Sequence, residues 1–172
     1  MNLPIPQGVS AQLVGSVLRV KGPKGEVSRD FSKVPLGISV SGREVVLEAF
    51  GSRRQDHAVL NTCKSHLDNM FVGVTKGFEY RLKVVYAHFP ITVKIKGGEV
   101  HIENFYGERF PRIAKIVGLQ TKVTVEGDDV VVTGPSIDEV SQTAANIESA
   151  TKVKERDARV FLDGVYIYER KK

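Results

Sequence analysis

Basic and aromatic side chains recur at close spacing along three segments in the second half of this chain. The first runs from Asn104 to Lys115, the second from Lys152 to Arg159, and the third is the C-terminal end. Guanidinium and ammonium groups neutralise phosphates, and exposed rings stack on unpaired bases. The pattern therefore favours contacts with nucleic acid. The alternative for each segment is an ordinary solvated face whose rings pack inward.

The candidate contacts divide by side-chain type. Predicted phosphate contacts are Arg109, Arg112, Lys115, Lys154, Arg156 and Arg159, with Arg170, Lys171 and Lys172 as a basic tail laid along RNA. Predicted base or sugar contacts are Asn104, Tyr106 and Tyr166. Phe105, Phe110 and Phe161 are expected in the core. In the first half of the chain, the best candidates are Arg53, Arg54 and Lys64.

Composition is compatible with a nucleic-acid partner without requiring one. The 172 residues carry a formal charge of +5, with 41% apolar and 26% charged residues, as in soluble globular proteins. No stretch approaches the roughly 20 apolar residues of a membrane span, and the N-terminus lacks the pattern of a secretory signal. Cys63 is the only cysteine, which excludes an intrachain disulfide and suits a reducing, cytoplasmic location.

Motifs of known catalytic chemistry are absent from the sequence. The four histidines are not at metal-ligand spacing, and Ser136 has no G-x-S-x-G around it. The Gly22 to Gly25 turn lacks the Gly-Lys-Ser/Thr of a phosphate-binding loop. We therefore predict a protein that is not an enzyme and needs no cofactor. An acid pair assembled by the fold, in a cleft between domains, stays open as an alternative.

The C-terminal run R-V-F-L-D-G-V-Y-I-Y-E-R predicts a hairpin. Asp163-Gly164 is a turn signal, because Gly tolerates positive φ and Asp bonds to nearby backbone. Apolar residues alternate with charged or aromatic ones on both sides of it. Val160 and Leu162 are therefore expected to face the protein before the turn, as Val165 and Ile167 are after it.

An internal repeat organises the chain. A run of strands with a hairpin at Gly42 and a helix signal from Ser52 recurs as strands, a hairpin at Gly127 and a helix signal from Ser136. Equivalent positions in the two runs are separated by about half the chain. This regular spacing favours a duplication of one unit over a chance likeness between two β-meanders. We predict an α+β fold of two tandem similar domains, residues 1–80 and 81–172, each a small antiparallel sheet covered on one face by a helix.

The helices have the clearer periodicity. After Ser52, apolar residues fall at steps of three and four on one face, at Val59, Cys63, Leu67, Met70, Phe71 and Val74. Gly77 is a plausible end signal. In the second repeat Ser136 and Glu139 form a capping-box pattern. The buried stripe there is expected at Ile137, Val140, Ala144 and Ile147.

Four stretches resemble the large-subunit ribosomal protein L-six family, in its archaeal and eukaryotic branch (L-nine in eukaryotes). They are K-S-H-L-D-N-M-F-V-G-V-T-K-G-F-E-Y (64–80), V-Y-A-H-F-P-I (85–91), N-F-Y-G-E-R (104–109) and R-V-F-L-D-G-V-Y-I (159–167). The family's C-terminal signature is matched at Val153, Arg156, Arg159, Phe161, Asp163, Gly164, Val165, Tyr166, Ile167 and Arg170. One departure is Lys152, where the signature has Gln.

The resemblance implies a fold, a partner and a location. It implies two similar α+β domains and binding to large-subunit ribosomal RNA, mainly through the C-terminal domain. It further implies a place near the sarcin–ricin region and the stalk base, beside neighbouring ribosomal proteins and the docking site of translational GTPases, in cytoplasmic large subunits. A non-ribosomal adaptor that binds structured RNA with the same fold is the alternative function.

Overall fold

The computed structural model describes residues 1–154, 157 and 159–172. Arg156, one of the predicted phosphate contacts, lies outside the described residues. The chain divides into two compact units, Met1–Gly77 and Phe78–Lys172. Residues 78–80, assigned to the first repeat from sequence, belong to the second unit because they begin a strand. No helix in the described ranges is long and apolar enough to cross a membrane.

The first unit contains two three-stranded antiparallel sheets and one helix. Its elements are β1 (Asn2–Pro4), β2 (Ser10–Val14), β3 (Val17–Gly22), β4 (Gly25–Asp30), β5 (Leu36–Ser41), β6 (Glu44–Ala49) and α1 (Arg54–Thr75). The sheet orders are β1-β6-β5 and β2-β3-β4. Buried residues of both sheets and of α1 form one hydrophobic core, centred on Leu18, Val45, Leu47 and Leu67.

The second unit contains a three-stranded sheet, a four-stranded sheet and one helix. Its elements are β7 (Phe78–Val85), β8 (Thr92–Lys96), β9 (Glu99–Glu103), a short 3-10 turn (Phe105–Gly107), β10 (Arg112–Lys115), β11 (Lys122–Glu126), β12 (Asp129–Gly134), α2 (Ile137–Ala150) and β13 (Gly164–Lys171). The sheet orders are β10-β9-β8 and β11-β12-β7-β13. The α+β prediction is confirmed.

The two units repeat the same order of elements. In each unit the first strand (β1 or β7) pairs with the second strand of a later hairpin (β6 in β5-β6, β12 in β11-β12). In sequence, a three-stranded meander (β2-β3-β4 or β8-β9-β10) lies between the first strand and that hairpin. A helix follows the hairpin in both units. The hairpin tips are equivalent, since Gly42 and Gly127 adopt φ of +59° and +63°. Each unit has two sheets where the sequence predicted one. The second unit also has an additional strand, β13.

Helix α1 follows its predicted apolar stripe. Cys63, Leu67, Met70, Phe71 and Val74 are buried. At the N-terminus the Asp56 carboxylate accepts the backbone N–H of Arg53 at 3.0 Å, which satisfies a donor that the helix leaves unpaired. Gly77 follows the last turn at φ +82°, a conformation that glycine adopts without strain. Burial raises the pKa of the Cys63 thiol, so this cysteine behaves as a core residue.

Helix α2 covers the four-stranded sheet. The hydroxyl of Ser136 accepts the backbone N–H of Glu139 at 3.4 Å, which makes Ser136 the predicted N-cap. Val140, Ala144 and Ile147 are buried beneath it, as the periodicity indicates. The Thr143 hydroxyl, on the same buried side, accepts the backbone N–H of Val117 at 2.9 Å. The helix thus holds the segment that follows β10.

The predicted C-terminal hairpin is wrong. Gly164 is the first residue of β13 and pairs with Val85, whereas residues 159–163 form a turn and irregular chain. Asp163 is buried, and its Oδ1 accepts the Ala87 N–H at 3.2 Å. The contacts of Asp163 with Ala87 and of Gly164 with Val85 therefore take the place of the predicted Asp-Gly turn. A Cβ on Gly164 would lie 3.0 Å from the Tyr166 ring, so only glycine lets the ring pack this closely against the backbone at residue 164.

Candidate nucleic-acid interface

An aromatic turn, residues 104–108, begins the first basic segment. Asn104, Tyr106 and Gly107 adopt φ of 61°, 52° and 73°. Asn tolerates the left-handed region well, whereas Tyr rarely enters it. The Asn104 side chain donates to the Pro90 carbonyl at 3.0 Å, and Phe105 is buried as predicted. These two anchors hold the uncommon backbone in place.

Rings pack around this turn. The Tyr106 ring meets Phe105 edge-on, with centroids 4.6 Å apart, and lies 5.9 Å from Phe161. Phe161 also approaches His88 at 6.3 Å. The cluster joins the turn to the segment before β13. Tyr106, predicted as a base or sugar contact, is thus half-buried among rings, so the part of it open to RNA is limited.

Phe110 and Arg109 project from the chain just beyond the turn. Phe110 is 83% exposed, so its prediction as a core residue is wrong. Arg109 is exposed and forms no hydrogen bond or ion pair with the rest of the described chain. An unburied ring beside an unpaired guanidinium is the pairing that stacks a base and neutralises its phosphate. Sequence offered one signal, since Phe110 directly precedes Pro111 and falls outside any alternating strand.

Arg112 lies at the start of β10 and is engaged within the protein. Its Nε and Nη2 donate to the two Glu108 carboxylate oxygens at 2.9 and 2.7 Å. Its Nη1 donates to the carbonyls of Ala150 and Lys152 at 2.9 and 3.3 Å. The guanidinium also lies 4.2 Å from the Phe105 ring centroid. Four of its N–H groups therefore already have acceptors.

The first basic segment and the start of the second, residues 152–154, are brought together at the C-terminal part of α2. Arg112 contacts the carbonyls at 150 and 152, and the Asn146 side chain donates to the Lys115 carbonyl at 3.0 Å. Lys115, Lys154 and Arg159 are exposed, as predicted for phosphate contacts. The backbone N–H of Arg159 donates to the Asp157 carboxylate at 2.9 Å. The guanidinium of Arg159 has no hydrogen-bond or ion-pair partner in the part of the chain that the structure describes.

The predicted basic tail is largely a strand. Arg170 and Lys171 belong to β13, and only Lys172 follows it. Lys171 Nζ lies 3.2 Å from a Glu169 carboxylate oxygen and 3.7 Å from one of Glu79. Arg170 lies 5.8 Å from the centroid of Tyr80 on the paired strand. These two residues thus have partners on the protein, whereas Arg109 has none among residues 1–154, 157 and 159–172.

Tyr166 lies at the beginning of β13. It is 41% exposed, and its hydroxyl donates to the Asp163 carbonyl at 3.5 Å, a long contact. In the sheet, Tyr166 pairs with Lys83 of β7. The side chain is therefore partly open to a further partner, as a sugar or base contact requires.

Metal chemistry has no geometric support in the described chain. Across residues 1–154, 157 and 159–172, no three His, Cys, Asp or Glu side chains come close enough to hold an ion. The His66 Nε2 lies 3.4 Å from an Arg29 nitrogen, and the His101 Nε2 lies 3.8 Å from Glu99. Both rings are half-buried and therefore have neighbours within their own unit.

The Glu108–Arg112 pair predicts a pH dependence of stability. The Arg112 guanidinium, by hydrogen bonding, holds the pKa of the Glu108 carboxyl below its usual range. A lowered folded-state pKa adds stability above the unfolded pKa of about 4.3, and that stability is lost as pH falls through the folded value. Because the pair is half-exposed, we expect it to contribute only about a few tenths of a kcal/mol to the free energy of unfolding.

Urea unfolding of the wild type and of Glu108→Gln, followed from neutral pH downward, checks this expectation. The difference in unfolding free energy should be present at neutral pH and should shrink as pH falls below about 4.3. A difference that stays constant to pH values below both pKa values would show that the ionised carboxylate contributes nothing to stability.

Comparison with known proteins assigns the chain to a family. The model of the family described as Ribosomal protein L6 matches residues 5–77 and 89–164. The large ribosomal subunit protein uL6 of Ignicoccus hospitalis is 48% identical over 172 residues, covering 96% of this chain and 91% of the relative. That of Methanobrevibacter smithii is 49% identical over 166 residues, covering 96% and 93%. With both units matched and nearly full-length relatives, this chain belongs to the ribosomal protein L6 family.

Proposed function

We propose that this protein is a structural constituent of the cytoplasmic large ribosomal subunit and binds large-subunit ribosomal RNA through its second unit. Family membership and the names of the relatives support the ribosomal part of the proposal. The protein is not an enzyme. Its partners are ribosomal RNA and neighbouring large-subunit proteins.

The RNA-binding surface is proposed at the junction of the first two basic segments. The observation that carries this proposal is the exposed pair Arg109 and Phe110 beside the anchored aromatic turn. Lys115, Lys154 and Arg159 extend the surface with exposed cations that have no acidic partner in the described chain. Such cations neutralise phosphates without loss of an internal ion pair, which favours their use in binding.

The mechanism is passive. RNA helices are recognised mainly by shape and by their phosphates and 2′-hydroxyls, while unpaired bases are recognised by stacking. The exposed cations would neutralise phosphates of converging RNA segments, and Phe110 would stack on an unpaired base. Tyr166, Asn104 and Tyr106 are the proposed sugar or base contacts, and Lys172 extends the basic surface beyond β13. Arg170 and Lys171 would contribute mainly through their charge.

The proposed position on the subunit is near the sarcin–ricin region and the stalk base, where RNA held in place would support the docking of translational GTPases. The family resemblance of the C-terminal signature supports this position. Chemical footprinting of large-subunit ribosomal RNA, with and without the protein, tests it. We expect protection centred on that region.

The variant in this footprinting experiment must spare the fold. Deleting residues 152–172 would remove β13, which pairs with β7 from Gly164 to Lys171 with one bulge after Ile167, so a loss of protection could reflect unfolding instead of a lost contact. Glutamine at Arg109, Lys115 and Arg159 removes only exposed charge. Protection that disappears in this variant supports the second-unit surface, and protection elsewhere overturns the position. An adaptor outside the ribosome would instead sediment free of ribosomal particles.

Phe110→Ala is expected to weaken RNA binding by about 1–3 kcal/mol, since stacking of one base on an aromatic ring contributes that much. Stability should be unchanged, because the ring is exposed. Titration of labelled ribosomal RNA and thermal unfolding give the two quantities. Leu119→Ala, at another exposed apolar residue in this unit, is the matched control. Equal affinity for Phe110→Ala and wild type would exclude stacking.

A further inference from the structure

The environment of Arg112 differs from that of every other predicted phosphate contact that the structure describes. Arg109, Lys115, Lys154 and Arg159 are exposed, whereas the Arg112 side chain is 28% exposed and donates four hydrogen bonds within the protein. An arginine offers five N–H groups, so a single one stays available. A phosphate would have to compete with a two-bond carboxylate contact, which is among the strongest pairings arginine makes.

The partners of Arg112 come from separate parts of the second unit. Glu108 and the Phe105 ring belong to the aromatic turn. The Ala150 carbonyl belongs to the last residue of α2, where carbonyls lack partners within the helix and a cation is favoured, and the Lys152 carbonyl lies two residues further on. The second basic segment begins at Lys152. One guanidinium thus joins the aromatic turn to the origin of that segment.

We propose that Arg112 is a positioning residue, which holds the aromatic turn and the start of the second basic segment, residues 152–154, in one arrangement so that their RNA contacts are presented together. This inference rests on the proposed RNA binding. The planar five-donor fork of arginine can serve a carboxylate on one side and two carbonyls on the other, and the ammonium of lysine cannot reproduce that geometry. Holding both segments before RNA arrives lowers the ordering cost of binding.

Affinity for large-subunit ribosomal RNA across a potassium chloride series separates positioning from direct contact. For Arg112→Met we expect binding weakened by about tenfold, with the slope of log K against log salt unchanged. Arg112→Lys should not restore affinity, although it keeps the charge. Lys115→Gln is the matched control, and its slope should fall by about one unit. A slope lowered to the same extent by Arg112→Met would overturn the inference.

Glu108→Gln gives the sharper distinction. If Arg112 contacts phosphate, releasing it from the carboxylate and removing a negative charge should tighten RNA binding. If Arg112 positions the two segments, losing the carboxylate should weaken binding despite the more positive protein. Tighter binding overturns the inference, and weaker binding supports it. This variant keeps Arg112 in place, so it stays informative if Arg112→Met does not fold.

Amide hydrogen exchange on the free protein adds a readout that needs no RNA. In Arg112→Met and Glu108→Gln, exchange should accelerate at residues 105–108 and 151–154 while β7 and β12 keep wild-type protection. Uniform acceleration through the unit would indicate global destabilisation and contradict positioning. If the wild type bound no ribosomal RNA, the proposed function would fail, yet the exchange result would still decide whether Arg112 orders both segments.

Discussion

Glutamine in place of Arg109, Lys115 and Arg159 together is expected to lower the affinity for large-subunit ribosomal RNA by roughly tenfold or more at physiological salt, and the salt slope by about two to three units. All three cations are exposed and have no acidic partner among the described residues. Each is therefore able to replace a counterion on a phosphate, and releasing that counterion gives the slope its value. Equilibrium binding over a range of salt concentrations measures both quantities.

The matched control removes the same charge from ion pairs. Lys83 pairs with Asp129 at 3.2 Å, and Lys94 and Lys96 both pair with Glu103. Glutamine at these three positions should leave the salt slope nearly unchanged. If both triple variants lost affinity and slope equally, net charge alone would govern binding, and the proposed surface would have no special part.

Leu82→Ala should destabilise the second unit by about 2–5 kcal/mol, the range for deleting a buried leucine side chain. Leu82 is fully buried in β7, which pairs with β12 on one side and β13 on the other. A cavity at this point loosens the strand that holds the sheet together. Denaturant unfolding gives the change in unfolding free energy, and hydrogen exchange at the amides of β7 and β12 shows whether this sheet is the part that loses stability.

Ile95→Ala removes the same kind of surface from an exposed position in β8 and is the control for Leu82→Ala. It should change the unfolding free energy by less than about 0.5 kcal/mol. A loss below about 1 kcal/mol for Leu82→Ala would mean that the core around β7 collapses to fill the space, or that the sheet depends little on it.

Local patterns in the sequence were enough to predict the helices and the repeat. The stripe through Cys63, Leu67 and Val74 and the cap at Ser136 each depend on residues within a few turns of one another. The hairpin glycines Gly42 and Gly127 depend on local backbone conformation in the same way. Such features are set by periodicity and turn chemistry, so one sequence reveals them.

The C-terminal region was mispredicted because long-range contacts decide it. Asp163-Gly164 has the composition of a turn, yet burial of Asp163 against Ala87 and pairing of Gly164 with Val85 put these residues at the start of β13. Alternation likewise placed Val160 and Leu162 toward the protein, whereas both are exposed. In the absence of a pairing partner, period-two alternation does not identify which face is buried.

The sequence predicted the residue types of the candidate interface, and the structure gives the exposure of each side chain. Lys115 is exposed, as a phosphate contact would have to be. Phe110 is exposed although its apolar ring predicted burial, and Arg112 is engaged although its charge predicted phosphate contact. The partners of Arg112 at residues 150 and 152 lie nearly forty positions away in sequence. Only the folded chain shows that one arginine is used internally and its neighbour Arg109 is available.

Ultraviolet crosslinking of assembled large subunits, with nucleotide adducts mapped on this protein by mass spectrometry, tests the proposed RNA-binding surface most directly. The adducts should fall on the peptide containing Phe110 and on the segment from Lys152 to Arg159. Adducts confined to the first unit, with none on either second-unit segment, would contradict the proposal that this surface binds ribosomal RNA.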